Sequence, residues 1–243
     1  MIGTIVNVCG IIAGTLIGLL IKKGIPERIK TALMKVQGVA IVLIGINGVI
    51  VAMLFIDADG SFQVSGTLLL LTSLILGCIC GELIRIDDGL DKMCAAAERK
   101  FGASGISQGF ITATMIYAVG ALTIIGALND GLSGDHTLLF TKTGLDFVTS
   151  IILATSLGIG VMFAAIPVLI VQGSISLLAG VLAPYVTDEP IRLLSMVGFA
   201  IVVAIGINFI GNAKIRVANL LPALLVPIIY YYLILGLIVP LFG

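Results

Sequence analysis

Apolar runs of membrane-spanning length follow one another along almost the whole chain, and the polar positions gather in short stretches between them. A spanning helix needs roughly 20 mostly apolar residues. On that measure the runs predict eight helices, at 2–22, 33–55, 65–84, 106–128, 145–165, 167–184, 191–211 and 215–240. Run length argues for helix over strand. The stretch from 145 to 184 is twice the length of one span, so it is divided at Pro167. Apolar sequence begins at Met1 with no basic leader, which reads as a first retained helix and not as a removed signal peptide.

The sparse charges test this layout. Of thirteen Lys and Arg residues, eleven fall beside the first, third and last connections that lie on one face: Lys22, Lys23, Arg28, Lys30 and Lys35, then Arg85, Lys92, Arg99 and Lys100, then Lys214 and Arg216. Only Lys142 and Arg192 fall on the other. The positive-inside rule then places both termini outside, and the bias reaches the last connection only with the Pro167 division. The composition agrees: the chain is 59% hydrophobic and 11% charged, with a mean hydropathy of +1.25. A bilayer must therefore be its solvent. Residues 1–243 read as one all-α polytopic membrane domain. Zero net charge offers no basic stripe, which argues against nucleic acid as a partner. Residues 87–101 carry charges on one side at helical spacing and suit either a helix lying on the inner leaflet or a solvated connector.

Two internal echoes suggest duplication. Gly3-Thr4, Ile12, Gly14, Gly18 and Ile21 reappear at one constant offset as Gly66-Thr67, Ile75, Gly77, Gly81 and Ile84. Ile44-Gly45-Ile46-Asn47 reappears as Ile205-Gly206-Ile207-Asn208, on helices expected to run in opposite directions. An inverted repeat of this kind is common in secondary transporters, where the site lies near the midplane between the halves. The ridge Gly10, Gly14, Gly18 and its echo Gly77, Gly81 let two backbones approach closely; the partner is another helix of this chain or a second copy, so a homo-oligomer through glycine-rich faces is one expectation.

Polar groups inside apolar runs must find partners, because an unpaired amide in hydrocarbon costs several kcal/mol. Asn7, Gln37, Asn47, Gln172, Asn208 and Asn219 are such groups. Each reads as interhelical glue or as a ligand; Asn47 and Asn208, as related positions, are expected to share an interface where their amide oxygens meet Na⁺ or a polar solute. The stretch from Ile166 to Ser176 combines Pro167, Gln172 and Gly173 with two serines, which predicts a span able to unwind, and Pro222 predicts a kink in the last helix. Asp146 is expected at the outer opening of the fifth helix, four residues after Lys142, serving the helix dipole or a cation. Glu82 closes the third helix at the inner surface. Asp57, Asp59 and Ser61 imitate the start of a calcium loop without its later glutamate. Cys9, Cys78, Cys80 and Cys94 lack zinc-ligand spacing. With a lone histidine, His136, and no nucleophile elbow, phosphate loop or metalloprotease helix, the chain offers no catalytic constellation, metal site or cofactor site.

Gly120 through Gly126, Asn129-Asp130-Gly131-Leu132-Ser133-Gly134-Asp135, Lys142, Leu145-Asp146, Pro167-Val168-Leu169, Gln172-Gly173 and Asn219-Leu220-Leu221-Pro222-Ala223 keep an order and spacing that resembles the bacterial membrane family catalogued as domain of unknown function number 554. The resemblance spans essentially the whole chain. It implies a multi-pass protein of the bacterial cytoplasmic membrane and adds weight to Asp130, Lys142, Asp146 and Gln172, although that family carries no assigned binding residue to transfer.

Together these features predict a small secondary transporter for a small polar solute, coupled to a monovalent cation, with Asn47, Asn208 and Gln172 as contacts and Asp146 as coupling carboxylate. A membrane scaffold or sensor, in which the glycine ridges bind a partner and segment 87–101 reads the inner leaflet, is the reading from another class, and a passive channel is the third. Short connections and the lack of a water-exposed display favour transport.

Overall fold

A computed structural model describes residues 1–22, 26–56, 62–89, 92, 96, 99, 106–118, 121–182, 184, 187–211 and 213–233. Helix dominates: α1 (Ile2–Lys22), α2 (Glu27–Met53), α3 (Thr67–Ile84), α4 (Ile106–Ala118), α5 (Ala121–Leu132), α6 (Thr137–Leu157), α7 (Gly160–Phe163), α8 (Ala165–Leu177), α9 (Ala179–Leu182) and α10 (Asp188–Ile210) precede a 3₁₀ stretch, Val217–Leu224, that runs into α11 (Leu225–Ile229). Between α2 and α3 a small antiparallel ribbon pairs β1 (Leu54–Ile56) with β2 (Phe62–Val64), Leu54 opposite Val64 and Ile56 opposite Phe62. Among the described residues six helices are long and apolar enough to cross a membrane, α7 and α8 forming one of them, and a seventh arises if α4 and α5, inclined by 61°, make one broken span. The protein is therefore a multi-pass membrane protein. The last of the eight expected spans is represented by the shorter apolar segment Val217–Leu233.

Several boundaries differ from the sequence reading. The fifth span begins at Thr137, not 145, and ends at Leu157, because the chain breaks at Gly158. Gly158 adopts φ +74° and ψ −152°. That conformation is open to glycine and costly for residues with a β-carbon. Pro167 does not break the run. It is the third residue of α8, within a first turn whose N–H groups have no helical partner, so its missing donor costs nothing there. Nor does Gly173, through which α8 continues unbroken to Leu177. The expected unwinding of 166–176 is thus absent. Pro222 does mark irregular backbone: it lies inside the 3₁₀ stretch. The fourth span bends between Ala118 and Ala121 and extends to Leu132, so that Asp130 is helical and buried. Thr123 Oγ1 donates to the Tyr117 carbonyl at 3.0 Å, satisfying a backbone acceptor that the bend frees. The 57–61 stretch and most of 87–101 and its Cys94, with their loop and surface-helix readings, lie outside the described residues, as does the side chain of Gln37.

Glycines set the helix pairs. Gly3, Gly10, Gly14 and Gly18 meet Leu139, Thr143, Phe147 and Ile151 in turn, so α1 and α6 run parallel and in contact along their length. At Gly14 and Gly18 the neighbour is α6 main chain, which leaves no room for a β-carbon. Gly77 and Gly81 do the same for α3 against Ala223 and Asn219, in antiparallel sense. The ridges are consumed within the chain, so they do not supply the open faces expected for a homo-oligomer. The α2–α10 pair is antiparallel and reciprocal: Gly45 sits on Val203 and the Phe199 carbonyl, while Gly206 sits on Val42 and the Gly38 carbonyl. Positions 38, 42 and 45 correspond to 199, 203 and 206 by one constant shift, so the two echo helices meet about a local two-fold axis.

These pairings sort the ends of the bundle. Lys22 lies beside Gly158, and Arg216 pairs with Glu82 and Asp88 at 3.5 and 3.6 Å, which gathers the cationic ends of α1, α3 and the last segment at one end. Met1 and the starts of α6 and α10 lie at the other, called here the Met1 end. Cys9, Cys78 and Cys80 carry free thiols on exposed faces.

Candidate functional site

Lys142 and Asp146 lie on α6, which runs for 21 residues from Thr137. At the rise of an α-helix the carboxylate stands roughly 14 Å from the helix start, near half its depth. The sequence reading put both at the membrane surface. The earlier helix start moves them inside, where both residues are more than nine-tenths buried. They form an ion pair one helical turn apart. A charge at this depth is expensive unless paired and hydrogen-bonded. The further bond comes from α1, braced in turn by α8. Asn7 Nδ2 donates to Asp146 Oδ2 at 3.1 Å and to Gln172 Oε1 at 3.3 Å. Asn7 reaches this position because it lies on the buried face Gly3, Thr4, Asn7, Ile11, Gly14, Gly18, whose glycines draw α1 against α6. On the other side of Lys142 the centre of the Tyr117 ring stands 5.9 Å from the ammonium, within cation–π range. The Tyr117 hydroxyl bonds Ser150 of α6 at 2.7 Å. The bend after α4 is thereby fastened beside the ion pair.

The pair borders a cavity of about 700 Å³ in the Met1-end half of the bundle. Its wall is contributed by α2, α4, α5, α6 and α10. Ile44, Val51, Ile116, Leu145 and Phe199 make most of it apolar, and Asn47, Lys142, Asp146, Thr149 and Ser195 add polar groups. Ser195 is buried, and its hydroxyl has no hydrogen-bond partner. At the rim Arg192 is held in place: Nε and Nη2 clasp Glu189 at 2.7 and 2.6 Å, and Nη1 donates to the Ala52 carbonyl at 2.6 Å, tying α10 to the end of α2. Charge-assisted bonds of this forked kind are among the strong ones.

A second cavity of about 310 Å³ opens at the opposite end, lined by Asp87, Gln108, Thr112, Ile205, Asn208 and others. The two share the seam between α4 and α10. Ile116 borders the larger and Thr112 the smaller on α4, as do Phe199 and Ile205 on α10. Between them Ala113, Met115, Ile201 and Val202 are buried.

The structure brings Asn47, Lys142 and Asp146 to one cavity wall, with Gln172 one hydrogen bond behind through Asn7. It does not bring Asn208 to Asn47. Reciprocal packing of α2 on α10 sends these related amides to opposite ends, and both amide atoms of Asn208 are taken by the Ile215 main chain, each at 2.8 Å. Asn208 thus fixes the turn into the last segment. Asn219 does similar work, accepting from the Asp87 N–H at 2.8 Å.

Asp130 belongs to a separate cluster at the Met1 end. It faces the Met1 amino group at 2.7 Å, accepts from Ser176 Oγ at 3.1 Å and from Gly3 N–H at 3.4 Å, and has His136 beside it. Ser176 is one turn from Gln172 on α8. Just beyond, hydrogen bonds from Thr137 hold the Asp135 carboxyl below the usual aspartate range at the start of α6.

Lys142, Asp146 and Gln172 belong to the stretches on which the resemblance rests, and comparison with known proteins agrees. The family model described as "Protein of unknown function (DUF554)" matches residues 2–232. The chain belongs to this family. It is 34% identical over 234 residues to the uncharacterized membrane protein YdfK of Bacillus subtilis (strain 168), covering 96% of this chain and 97% of that one. It is 31% identical over 232 residues to the uncharacterized protein YqgA of Escherichia coli (strain K12), covering 93% and 94%. No solved structure gives a significant match.

Tyr117, Ser150 and Ser195 were not singled out from the sequence. A hydroxyl in an apolar helix ordinarily bonds its own backbone, so these carried no signal until the neighbouring helices were placed. One of the breaks did leave a signal: Gly158-Ile159-Gly160 sits at the end of α6.

Proposed function

We propose that this member of the DUF554 family is a secondary transporter that carries a small polar solute across the bacterial cytoplasmic membrane, coupled to a monovalent cation, and performs no catalysis. The observation that carries this reading is the Lys142–Asp146 pair: buried within the bundle, bordering a cavity large enough for a small molecule, and hydrogen-bonded to a second helix through Asn7. Beside it α4 and α5 are sharply bent against each other, at 61°, and helices interrupted in this way form the midplane sites of many transporters. An all-helical bundle suits the cytoplasmic membrane, since outer-membrane proteins of single-chain type are β-barrels. The cationic end of the bundle faces the cytoplasm by the positive-inside rule, which puts Met1 and the end of the last helix outside and makes the larger cavity outward-facing. The two cavities on the α4–α10 seam mark the route, and the buried turn between them is the barrier. The glycine ridges invoked by the scaffold reading are occupied within the chain, which favours the transport reading over it.

The test is the thermal stability of the detergent-purified protein against amino acids, organic acids, nucleosides and alkali cations. A ligand at 100 times its Kd adds about 2.7 kcal/mol to the folded state. A shift selective for one solute class, lost in Asn47→Ala, is expected; a folded protein that responds to none of them contradicts the reading.

A further inference from the structure

Resting on the transport reading, we infer that the larger cavity binds a zwitterion with an apolar body, of the α-amino acid type: its carboxylate is taken by Lys142, its ammonium by Asp146, and its side chain lies against the apolar wall.

The argument begins from charge balance. Lys142 and Asp146 neutralise each other in a setting where an unpaired charge is costly. A purely anionic solute drawn to Lys142 would leave the Asp146 carboxylate uncompensated, and a purely cationic solute drawn to Asp146 would strand the ammonium. A zwitterion inserted between them supplies a counter-charge to each and leaves the net charge of the site unchanged. The geometry allows the insertion. Lys142 ends in a compact ammonium on a flexible four-carbon stem, able to move away from Asp146 by the width of a small headgroup. Asp146 is held from behind by Asn7, which fixes the carboxylate while its partner swings.

Two independent features of the cavity agree. Ser195 lines the same space, and its buried hydroxyl, which has no partner, is expected to turn toward a carboxylate oxygen of a bound solute. The remaining wall, with Ile44, Val51, Ile116, Leu145 and Phe199, is too apolar for a sugar or nucleoside rich in hydroxyls but suits an aliphatic or aromatic side chain. Arg192 does not compete for the carboxylate, since its guanidinium is committed to Glu189 and the Ala52 carbonyl.

Two charge-matched series test this on the detergent-purified full chain at neutral pH: leucine with isoamylamine and isocaproate, and phenylalanine with phenethylamine and hydrocinnamate. The zwitterion of at least one series is expected to raise the melting temperature. Its two single-charge relatives should do so only at concentrations at least tenfold higher, equivalent to about 1.4 kcal/mol. Ser195→Ala is expected to weaken zwitterion binding by a similar factor. The paired variant Lys142→Met with Asp146→Asn keeps the site neutral and is expected to fold and lose the response entirely. Binding of an amine or acid as tight as that of the zwitterion, or a full response in the folded paired variant, overturns the inference. So does the absence of any response to either zwitterion. Transport and assignment separate cleanly: uptake of a solute of another charge class leaves the transport reading standing and removes this one, whereas selective zwitterion binding without movement across reconstituted vesicles does the reverse.

Discussion

The energetics of the site rest on two side chains. An ion pair buried among helices is weak evidence for stability, since desolvation offsets most of the Coulomb attraction, but breaking it strands a charge. Lys142→Ala or Asp146→Ala alone is therefore expected to destabilise the protein by about 3–5 kcal/mol, and the paired Lys142→Met, Asp146→Asn variant to cost far less. Chemical denaturation in detergent distinguishes these, and equal losses in all three would show that the pair does not act as a unit. The two echo asparagines should also separate. Asn208→Ala removes both hydrogen bonds to Ile215 and should lower the melting temperature, whereas Asn47→Ala should leave it near the parent value and remove the solute response. The reverse pattern would mean that the ligand site has been placed at the wrong end of α2. Much of this was legible from residue type alone. Asn7, Gln172 and Asn47 stood out as polar groups in apolar runs, and Lys142 and Asp146 as neighbours one helical turn apart, but the depth of that pair was not legible, because Thr137 through Thr143 include Lys142 and too many hydroxyls to read as membrane-embedded. Helix direction and register decide which polar groups meet, which is why Asn7 was one candidate among six and Asn208 was paired with the wrong neighbour.

At the scale of elements, close packing through glycine replaces the hydrophobic force that lipid cannot supply. A side chain at Gly18 would overlap α6 main chain at Ile151. Gly18→Val should therefore push α1 from α6 and cost about 1–3 kcal/mol, while Ala13→Val on the exposed face of α1 should be nearly silent. Comparable losses at both positions, read by thermal unfolding in detergent, would contradict the parallel α1–α6 contact. The glycine ridges were visible in the sequence, and the reciprocal seat of Gly45 and Gly206 accounts for the echo of Ile44-Gly45-Ile46-Asn47. The breaks were only half legible. Proline draws attention first, yet Pro167 is harmless in a first turn, and the interruption falls at Gly158, where the backbone requires a positive φ. The α1–α3 echo likewise predicted glycine contacts without revealing that α1 meets a parallel partner and α3 an antiparallel one.

For the whole molecule, helix direction fixes which cavity faces which compartment. In a background with the native cysteines replaced, a cysteine at Asp188 should react with an impermeant thiol reagent in intact cells, and one at Arg216 only after lysis. Labelling in the opposite order would invert the bundle and make the larger cavity cytoplasmic. The proposed movement of solute rests on a neutral charge pair within the bundle, a cavity on one side, a smaller one on the other, and a single buried turn between them. The direct measurement is uptake of labelled leucine and phenylalanine, with labelled organic acids and nucleosides alongside, into proteoliposomes containing either the parent protein or the Lys142→Met, Asp146→Asn variant. Uptake above that of empty vesicles by the parent alone, with both proteins folded, is the predicted result. No uptake of any solute by the parent, or equal uptake by the variant, would contradict the account.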